Sequence, residues 1–271
     1  MNGLIRDVEE LMRAVAKDEI LSRFGQLHRH DIHAKDRPGD VVTVADLEAE
    51  VRLIEGLSNL LPDSTQVGEE ECYRDPSVLK RLKGSKPVWT VDPLDGTNNF
   101  AKGKPCFAMI CALVIDGKTE MGWILDPIAD VCATAQRGKG VRIVDRKLTM
   151  DAPKAIKDMT GSLGDMMRPK IQKRMKKGEP ALPRHLIRHH CCGREYLDLL
   201  VGKLHFVHYG GKLMPWDHAA GVLMMEEVGA FARIRKGKEA YDPAVHGQGA
   251  ELFIAPSEVA YDDLQQSLFK A

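Results

Sequence analysis

The chain predicts a mixed α/β (α+β) fold in a single unit over residues 1–271, and three observations carry that expectation. Apolar stretches of strand type alternate with stretches of helical spacing from end to end, with no repeat or low-complexity linker between them. Hydrophobic residues make up 44% of the 271, enough to bury a core without disulfide or metal staples. An apolar strand, Val88-Trp89-Thr90-Val91, runs straight into Asp92 and Asp95 and then into Gly96-Thr97, where a helix can start.

Residues 3–24 place Leu4, Val8, Leu11 and Val15 at helical spacing, with Gly25 as the stop. Segment 28–40 is polar and marked by Pro and Gly, which reads as a loop or hairpin. Thr43 to Leu61 carries Leu47, Val51, Ile54 and Leu57 on one side of a second amphipathic helix that Pro62 ends. Gly68-Glu69-Glu70-Glu71 reads as an acidic turn ahead of a strand at 87–91. Strands at 107–115 and 119–125 are joined through Asp116-Gly117, a hairpin signal. A strand at 130–136 precedes the glycine-rich turn from Arg137 to Gly140, and the segment 165–190 is basic. Helical spacing returns at 194–201, a strand follows at 204–209, and a helix at 217–228. A short strand at 252–255 and a helix from Ser257 complete the order.

Composition excludes several function classes. Lys+Arg and Asp+Glu both number 39, so bulk charge argues against nucleic acid or an anionic membrane as main partner. The longest unbroken apolar run, Cys106 to Ile115, is too short to span a bilayer. The start, with Arg6, Asp7, Glu9 and Glu10, lacks the apolar core of a secretory leader. Six cysteines without a CxxC spacing fit free thiols in a reducing cytoplasm. Neither a GxSxG elbow nor a GxxxxGK[ST] loop occurs. His28-x-His30 is the only histidine pair hinting at a transition metal, and a loop pair of this kind is commonly polar surface.

The chemistry-bearing stretch is Val91-Asp92-Pro93-Leu94-Asp95-Gly96-Thr97-Asn98-Asn99-Phe100. Two carboxylates with the Leu94 carbonyl between them offer hard oxygen ligands of the kind Mg²⁺ takes, and no His or Cys in the motif favours zinc. Gly96 and Thr97 follow with backbone amides suited to a phosphate. Each piece also has a plainer reading. Asp-Pro and Asp-Gly are ordinary turn dipeptides, Asp217 can cap a helix, and Thr43-x-x-Asp46 resembles a capping box. The triple glutamate at 69–71 reads by itself as a solvated face.

Together these segments resemble the inositol monophosphatase family of lithium-sensitive, magnesium-dependent phosphatases. Four segments carry the resemblance, in the family's order: Lys35 with Asp46, Gly68-Glu69-Glu70, the ten residues 91–100, and Trp216-Asp217-His218-Ala219-Ala220-Gly221 with Glu227-Val228-Gly229. The resemblance implies a layered αβαβα sandwich of the inositol monophosphatase and fructose-bisphosphatase type, and a homodimer. It implies two or three Mg²⁺ held by Glu70, Asp92, the Leu94 carbonyl, Asp95 and Asp217. Catalytic roles fall to Thr97, Asp46, Glu70 and Lys35, with Thr97 and Asp46 orienting the attacking water. Gly96 and Thr97 amides would hold phosphate oxygens, and the substrate is a small phosphate monoester.

The resemblance weakens at the substrate. Inositol-specific members have an acid seven positions before the C-terminal motif aspartate, and here that position is Gly210, followed by Gly211 and Lys212. Gly193 is followed by Arg194 and Glu195 where small residues are usual. Asp95, Gly193, Arg194, Glu195 and Lys212 are therefore the expected substrate residues. Inositol-1-phosphate, histidinol phosphate, a sugar phosphate or a phosphorylated nucleotide are the candidates, with a fructose-bisphosphatase role as a rival. The basic run 168–177 raises a second class, because the SuhB-type bacterial relatives act on RNA synthesis through protein contacts. That run contains no aromatic residue for stacking on single-stranded RNA.

Overall fold

A computed structural model of the chain describes residues 2–35, 40–143, 148, 153, 155–245 and 248–269. Two helices open it. α1 (Asn2–Val15) continues as a π-helical stretch over Ala16–Leu21, and α2 spans Val44–Leu60. Between them β1 (Ile32–Ala34) pairs antiparallel with β2 (Val41–Thr43), so the 28–40 segment is a hairpin; its residues 36–39 lie outside those described.

Six strands form the first sheet: β3 (Thr65–Gly68), β4 (Val88–Asp95), β5 (Ala108–Ile115), β6 (Lys118–Asp126), β7 (Val131–Gln136) and β8 (Gly140–Ile143), neighbours in chain order. The β5–β6 turn has positive φ at Asp116 and Gly117, the conformation a tight hairpin needs. Side chains alternate between two faces. On one face Trp89, Val91, Met109, Cys111 and Trp123 pack with Val8, Met12 and Val15 of α1 and Ala49, Leu53 and Leu57 of α2. On the other, Ile110, Ala112, Ile124 and Ala133 meet α6 (Cys192–Leu200) and α7 (Pro215–Glu227).

Beyond that helix layer lies a second sheet. It contains β9 (Thr160–Leu163), β10 (His185–Ile187), β11 (Phe206–Lys212), β12 (Phe231–Ile234) and β13 (Gln248–Ala255), in the order β10-β9-β11-β13-β12. Val207, Tyr209, Leu252 and Ile254 face α6 and α7. Phe206 and Phe253 face the opposite way, onto α5 (Arg168–Lys176) and α8 (Glu258–Leu268). The five layers are thus αβαβα, each sheet buried on both faces. Close packing of the middle layer depends on glycine: a Cβ at Gly122 of β6 would stand 2.8 Å from Ala220 Cα of α7.

β3, β8, β9, β10 and β12 are absent from the sequence reading. None is longer than four residues, and β9, Thr-Gly-Ser-Leu, has no strand pattern of its own. Pairing with neighbours makes these strands, not propensity. The acidic stretch at 69–71 is not a free turn but the start of a short helix, α3 (Glu69–Arg74).

Candidate active site

β3 and β4 run parallel, with Gly68 opposite Val91, so their C-terminal ends emerge side by side. Glu69 leaves one and Asp92 the other. A short helix, α4 (Thr97–Ala101), starts just after β4, with Gly96 in the left-handed conformation at φ 92°. A Cβ there would lie 3.0 Å from the Cys106 carbonyl, so the turn needs glycine twice over, for conformation and for space.

Several helices begin at this place. Asp46 is in the first turn of α2, Glu69 opens α3, Thr97 opens α4 and Asp217 is in the first turn of α7. The Gly193 amide at the start of α6 donates to Asp95 Oδ2 at 2.6 Å. Helix starts carry partial positive charge and tolerate acids, which is why so many carboxylates can gather here. They surround a cavity of about 420 Å³ lined by Asp40, Glu69, Asp92, Leu94, Asp95, Gly96, Thr97, Asn98, Asn99, Lys102, Lys104, His190 and Asp217.

The acids destabilise each other's charge. Burial, then Glu69, Asp95 and Asp217, push Asp92 well above the ordinary aspartate range. Asp217 is raised by burial, Glu69 and Asp95. It is close enough to Asp92 for the two to share a hydrogen bond, which requires one of the carboxyl groups to keep its proton. Burial raises Asp95 to about 6 against the hydrogen bonds from Gly193 and Cys191. Lys35 reaches Glu69 Oε1 at 2.8 Å and Glu70 Oε1 at 2.7 Å. Burial works against its charge, yet the two glutamates hold its pKa above the usual lysine value.

Asp46 does two things at once. Oδ2 accepts from the Thr43 amide at 2.8 Å, completing the capping box, and Oδ1 lies 2.8 Å from Thr97 Oγ1. Burial lifts Asp46 to about 6. Thr97 Oγ1 is also 3.0 Å from the Leu94 carbonyl, so its single proton has two possible acceptors.

The expected site residues do not all meet. Asp92, Leu94, Asp95, Gly96, Thr97 and Asp217 share the cavity, and Lys35 and Asp46 flank it. Glu70 is displaced by Glu69 in the expected arrangement. As the first helical residue Glu69 projects into the cavity, whereas Glu70 is 2% exposed and faces Lys35. The solvated-face reading of the triple glutamate also fails: burial, Glu69 and Lys35 together leave Glu70 raised to about 8. Asp217 is not the N-cap, which is Met214, but the third residue of α7, after Pro215 and Trp216.

Arg194 and Glu195 are kept from the cavity. Arg194 pairs with Asp126 and Asp198, lining a separate small hollow. Glu195 is fully buried, 3.2 Å from Arg188 and accepting from Ser162 Oγ at 2.7 Å. Gly193 reaches the site through its amide alone. Lys212 borders a second cavity of about 570 Å³ that shares Asp40, Glu69 and Asp217 with the first. His28 and His30 stack on each other and line neither.

Sequence reasoning missed Glu69, Asp40 and Glu50. Glu50 of α2 is 2% exposed and accepts from the amides of Glu70 and Glu71, each at 2.7 Å, so it holds the start of α3 in place. A Cβ at Gly68 would lie 2.5 Å from that carboxylate, so Gly68 was the available signal.

Among the described residues, no three His, Cys, Asp or Glu side chains form a ready-made metal cage. The oxygen-only set of Glu69, Asp92, the Leu94 carbonyl, Asp95 and Asp217 nevertheless suits a hard divalent cation, which would relieve their repulsion. Fold and cavity together define a layered αβαβα protein with an acidic pocket at the ends of two parallel strands. A profile of the inositol monophosphatase family matches residues 4–266, and the chain belongs to that family. It is 33% identical over 245 residues to the Nus factor SuhB of Pasteurella multocida, covering 87% of each chain. It is 31% identical over 248 residues to the inositol-1-monophosphatase of Rhizobium meliloti, covering 88% of this chain and 86% of that one. Its fold superposes on the Thermotoga maritima IMPase with a TM-score of 0.81, at 22% identity, over 98% of this chain and 96% of the other.

Proposed function

We propose that this protein is a Mg²⁺-dependent phosphomonoesterase that hydrolyses a small phosphate monoester by attack of water. The observation that carries the reading is the set of mutually repelling buried carboxylates around Asp92 and Asp217, facing a cavity whose wall includes Gly96 and Thr97. Glu69, Asp92, Asp95, Asp217 and the Leu94 carbonyl would hold Mg²⁺. Bound there, the cation supplies positive charge for phosphate oxygens and makes nearby water a stronger acid.

The chain's own residues do the rest. Thr97, donating its proton to Asp46 at 2.8 Å, turns an oxygen lone pair outward to accept a hydrogen from the attacking water. Asp46, lifted to about 6 by burial, is ionised at neutral pH and keeps Thr97 in that orientation. Amides of Gly96 and Thr97 are the proposed donors to phosphate oxygens. Lys35 limits the charge of Glu69 and Glu70 and fixes both side chains. Since relatives are named inositol-1-monophosphatases, inositol-1-phosphate is the first ester to assay. The reading further entails Li⁺ sensitivity, a homodimer and a cytoplasmic location.

The test is phosphate release from a panel of monoesters with Mg²⁺, with and without Li⁺. Activity that requires Mg²⁺ and falls with Li⁺ is expected; no release from any ester overturns the reading. A second reading rests on the identity to the Nus factor SuhB and on the basic helix α5: a role in RNA synthesis through protein contacts. It predicts that a chain carrying Asp92→Asn keeps its cellular phenotype, whereas the catalytic reading predicts loss.

A further inference from the structure

All six cysteines are free, and one stands in surroundings unlike the rest. Cys106 follows the exposed stretch 102–105 and is itself half-buried, just ahead of β5. Its Sγ lies 3.9 Å from the His189 carbonyl. Asn99 ties the two segments together, its Nδ2 donating to the carbonyls of Cys106 and His189, each at 2.9 Å. The His189 ring shares one hydrogen bond with the Cys106 thiol and another, through Nε2, with Asp198 at 2.9 Å. Thiol, imidazole and carboxylate thus stand in series, the order that favours a thiolate. A second thiol, Cys191, is within hydrogen-bond reach of Cys106. Both border Gly96: a Cβ there would lie 3.0 Å from the Cys106 carbonyl and 3.3 Å from Cys191 Cβ.

Surroundings sort the six thiols. The hydrogen bond with Cys191, and then that with His189, bring Cys106 down to about 5 against burial. Burial raises Cys72 to about 11 and lifts Cys111, Cys132, Cys191 and Cys192 above the ordinary thiol value. Cys191 also touches the acidic site. Its thiol donates to Asp95 Oδ2 at 3.1 Å, beside the Gly193 amide at 2.6 Å. Its sulfur accepts from the Arg194 amide at the start of α6. A sulfur–sulfur bond keeps that acceptor but removes the donor to Asp95, and groups that orient a metal ligand set its affinity.

We propose that Cys106 and Cys191 are a peroxide-sensitive thiol pair, whose oxidation to a disulfide withdraws a hydrogen bond from Asp95 and weakens the hold of the acidic site on Mg²⁺. The consequence for Mg²⁺ rests on the phosphatase reading; the thiol chemistry does not. In the first step the Cys106 thiolate attacks one oxygen of hydrogen peroxide. An S–O bond forms, the O–O bond breaks, and the departing hydroxide takes a proton from the His189 imidazolium to leave as water. Cys106 is now a sulfenic acid. In the second step the Cys191 sulfur attacks the Cys106 sulfur. The S–S bond forms, the S–O bond breaks, and the leaving hydroxide combines with the Cys191 proton as a second water. Two thiols are oxidised, one peroxide is reduced, and a dithiol reverses the change by exchange.

The test treats the reduced full chain with hydrogen peroxide, blocks the remaining thiols and maps the cysteine peptides by mass spectrometry. A Cys106–Cys191 disulfide that dithiothreitol reverses is expected. Cys191→Ser should stop the reaction at a Cys106 sulfenic acid that dimedone captures, and Cys106→Ser should abolish rapid oxidation altogether. His189→Gln should slow the oxidation of Cys106 about tenfold. By calorimetry the oxidised chain should bind Mg²⁺ about tenfold more weakly than the reduced one. A Cys191–Cys192 bridge, a sulfinic acid at Cys106 of the parent chain, or Cys106 reacting no faster than Cys72 would overturn the pair, and the parent map decides this without any variant. Equal Mg²⁺ affinity of the two forms would overturn the link to Asp95. Should neither form bind Mg²⁺, the link falls together with the phosphatase reading, while a mapped Cys106–Cys191 disulfide upholds the thiol pair by itself.

Discussion

Two buried charged clusters touch the first turn of α6, and they are built on opposite rules. At the cavity, Asp46, Glu69, Asp92, Asp95 and Asp217 gather with Lys35 as the one cation paired into the cluster among the described residues. Around α6, every acid has a basic partner: Glu195 with Arg188, Asp126 with Arg194, and Asp198 with His189 at 2.9 Å. The pKa directions follow. Asp92 and Asp217 are raised, mainly by burial and then by Glu69 and Asp95. Asp198 is lowered despite burial, because His189 and Arg194 stabilise its charge. A paired cluster is satisfied within the fold and serves structure. An acidic cluster left short of partners is the arrangement that the proposed cation would complete.

Four experiments would break or sharpen that contrast. The largest effect is expected from Asp92→Asn. Activity should fall at least about a hundredfold, while thermal stability in metal-free buffer stays level or rises because a repelling charge is gone. A large stability loss would put Asp92 on the structural side. Glu195→Gln should do the reverse. It strands Arg188 in the interior and should cost ~3–5 kcal/mol of unfolding free energy by denaturant titration, with kcat of the folded fraction near the parent's.

Smaller, and aimed at the acidic cluster alone, is the choice between neighbouring glutamates. Glu69→Gln should raise the Mg²⁺ concentration for half-maximal activity by about tenfold, and Glu70→Gln by clearly less. Equal effects would return Glu70 to the position the resemblance assigned it. The smallest effect is in pH dependence. Hydrogen bonds to Asp198 and then to Cys106 raise His189 to about 9 from 6.5. A raised histidine stabilises the fold fully below its unfolded pKa and loses that contribution as pH rises through its folded one. The difference in Tm between the parent and His189→Gln should therefore be greatest below pH 6.5 and shrink toward pH 9. A difference constant across that window would remove His189 from the charge network.

Much of this was legible in the chain itself, for identifiable reasons. The long strands and amphipathic helices follow from period and punctuation, as at Asp116-Gly117 and Ser257. At Asp46 the capping box and the contact with Thr97 coexist, since one carboxylate caps α2 with Oδ2 and meets Thr97 with Oδ1. Arg194 and Glu195 misled because charge beside a motif glycine looks like a binding group until its partners are known. Those partners, Asp126 and Arg188, lie 68 and 7 residues away.

By itself the sequence determined the order of the long strands and helices, the family, and the oxygen-rich character of the site, because these depend on local periodicity and on residue types at short spacing. Only the tertiary structure decided which acids share the cavity. Glu69 rather than Glu70 faces it because α3 starts at Glu69, anchored through two amides by a carboxylate twenty residues earlier in the chain. Where a charge finds its compensation is a question of distance in space, and spacing along the chain does not hold that information.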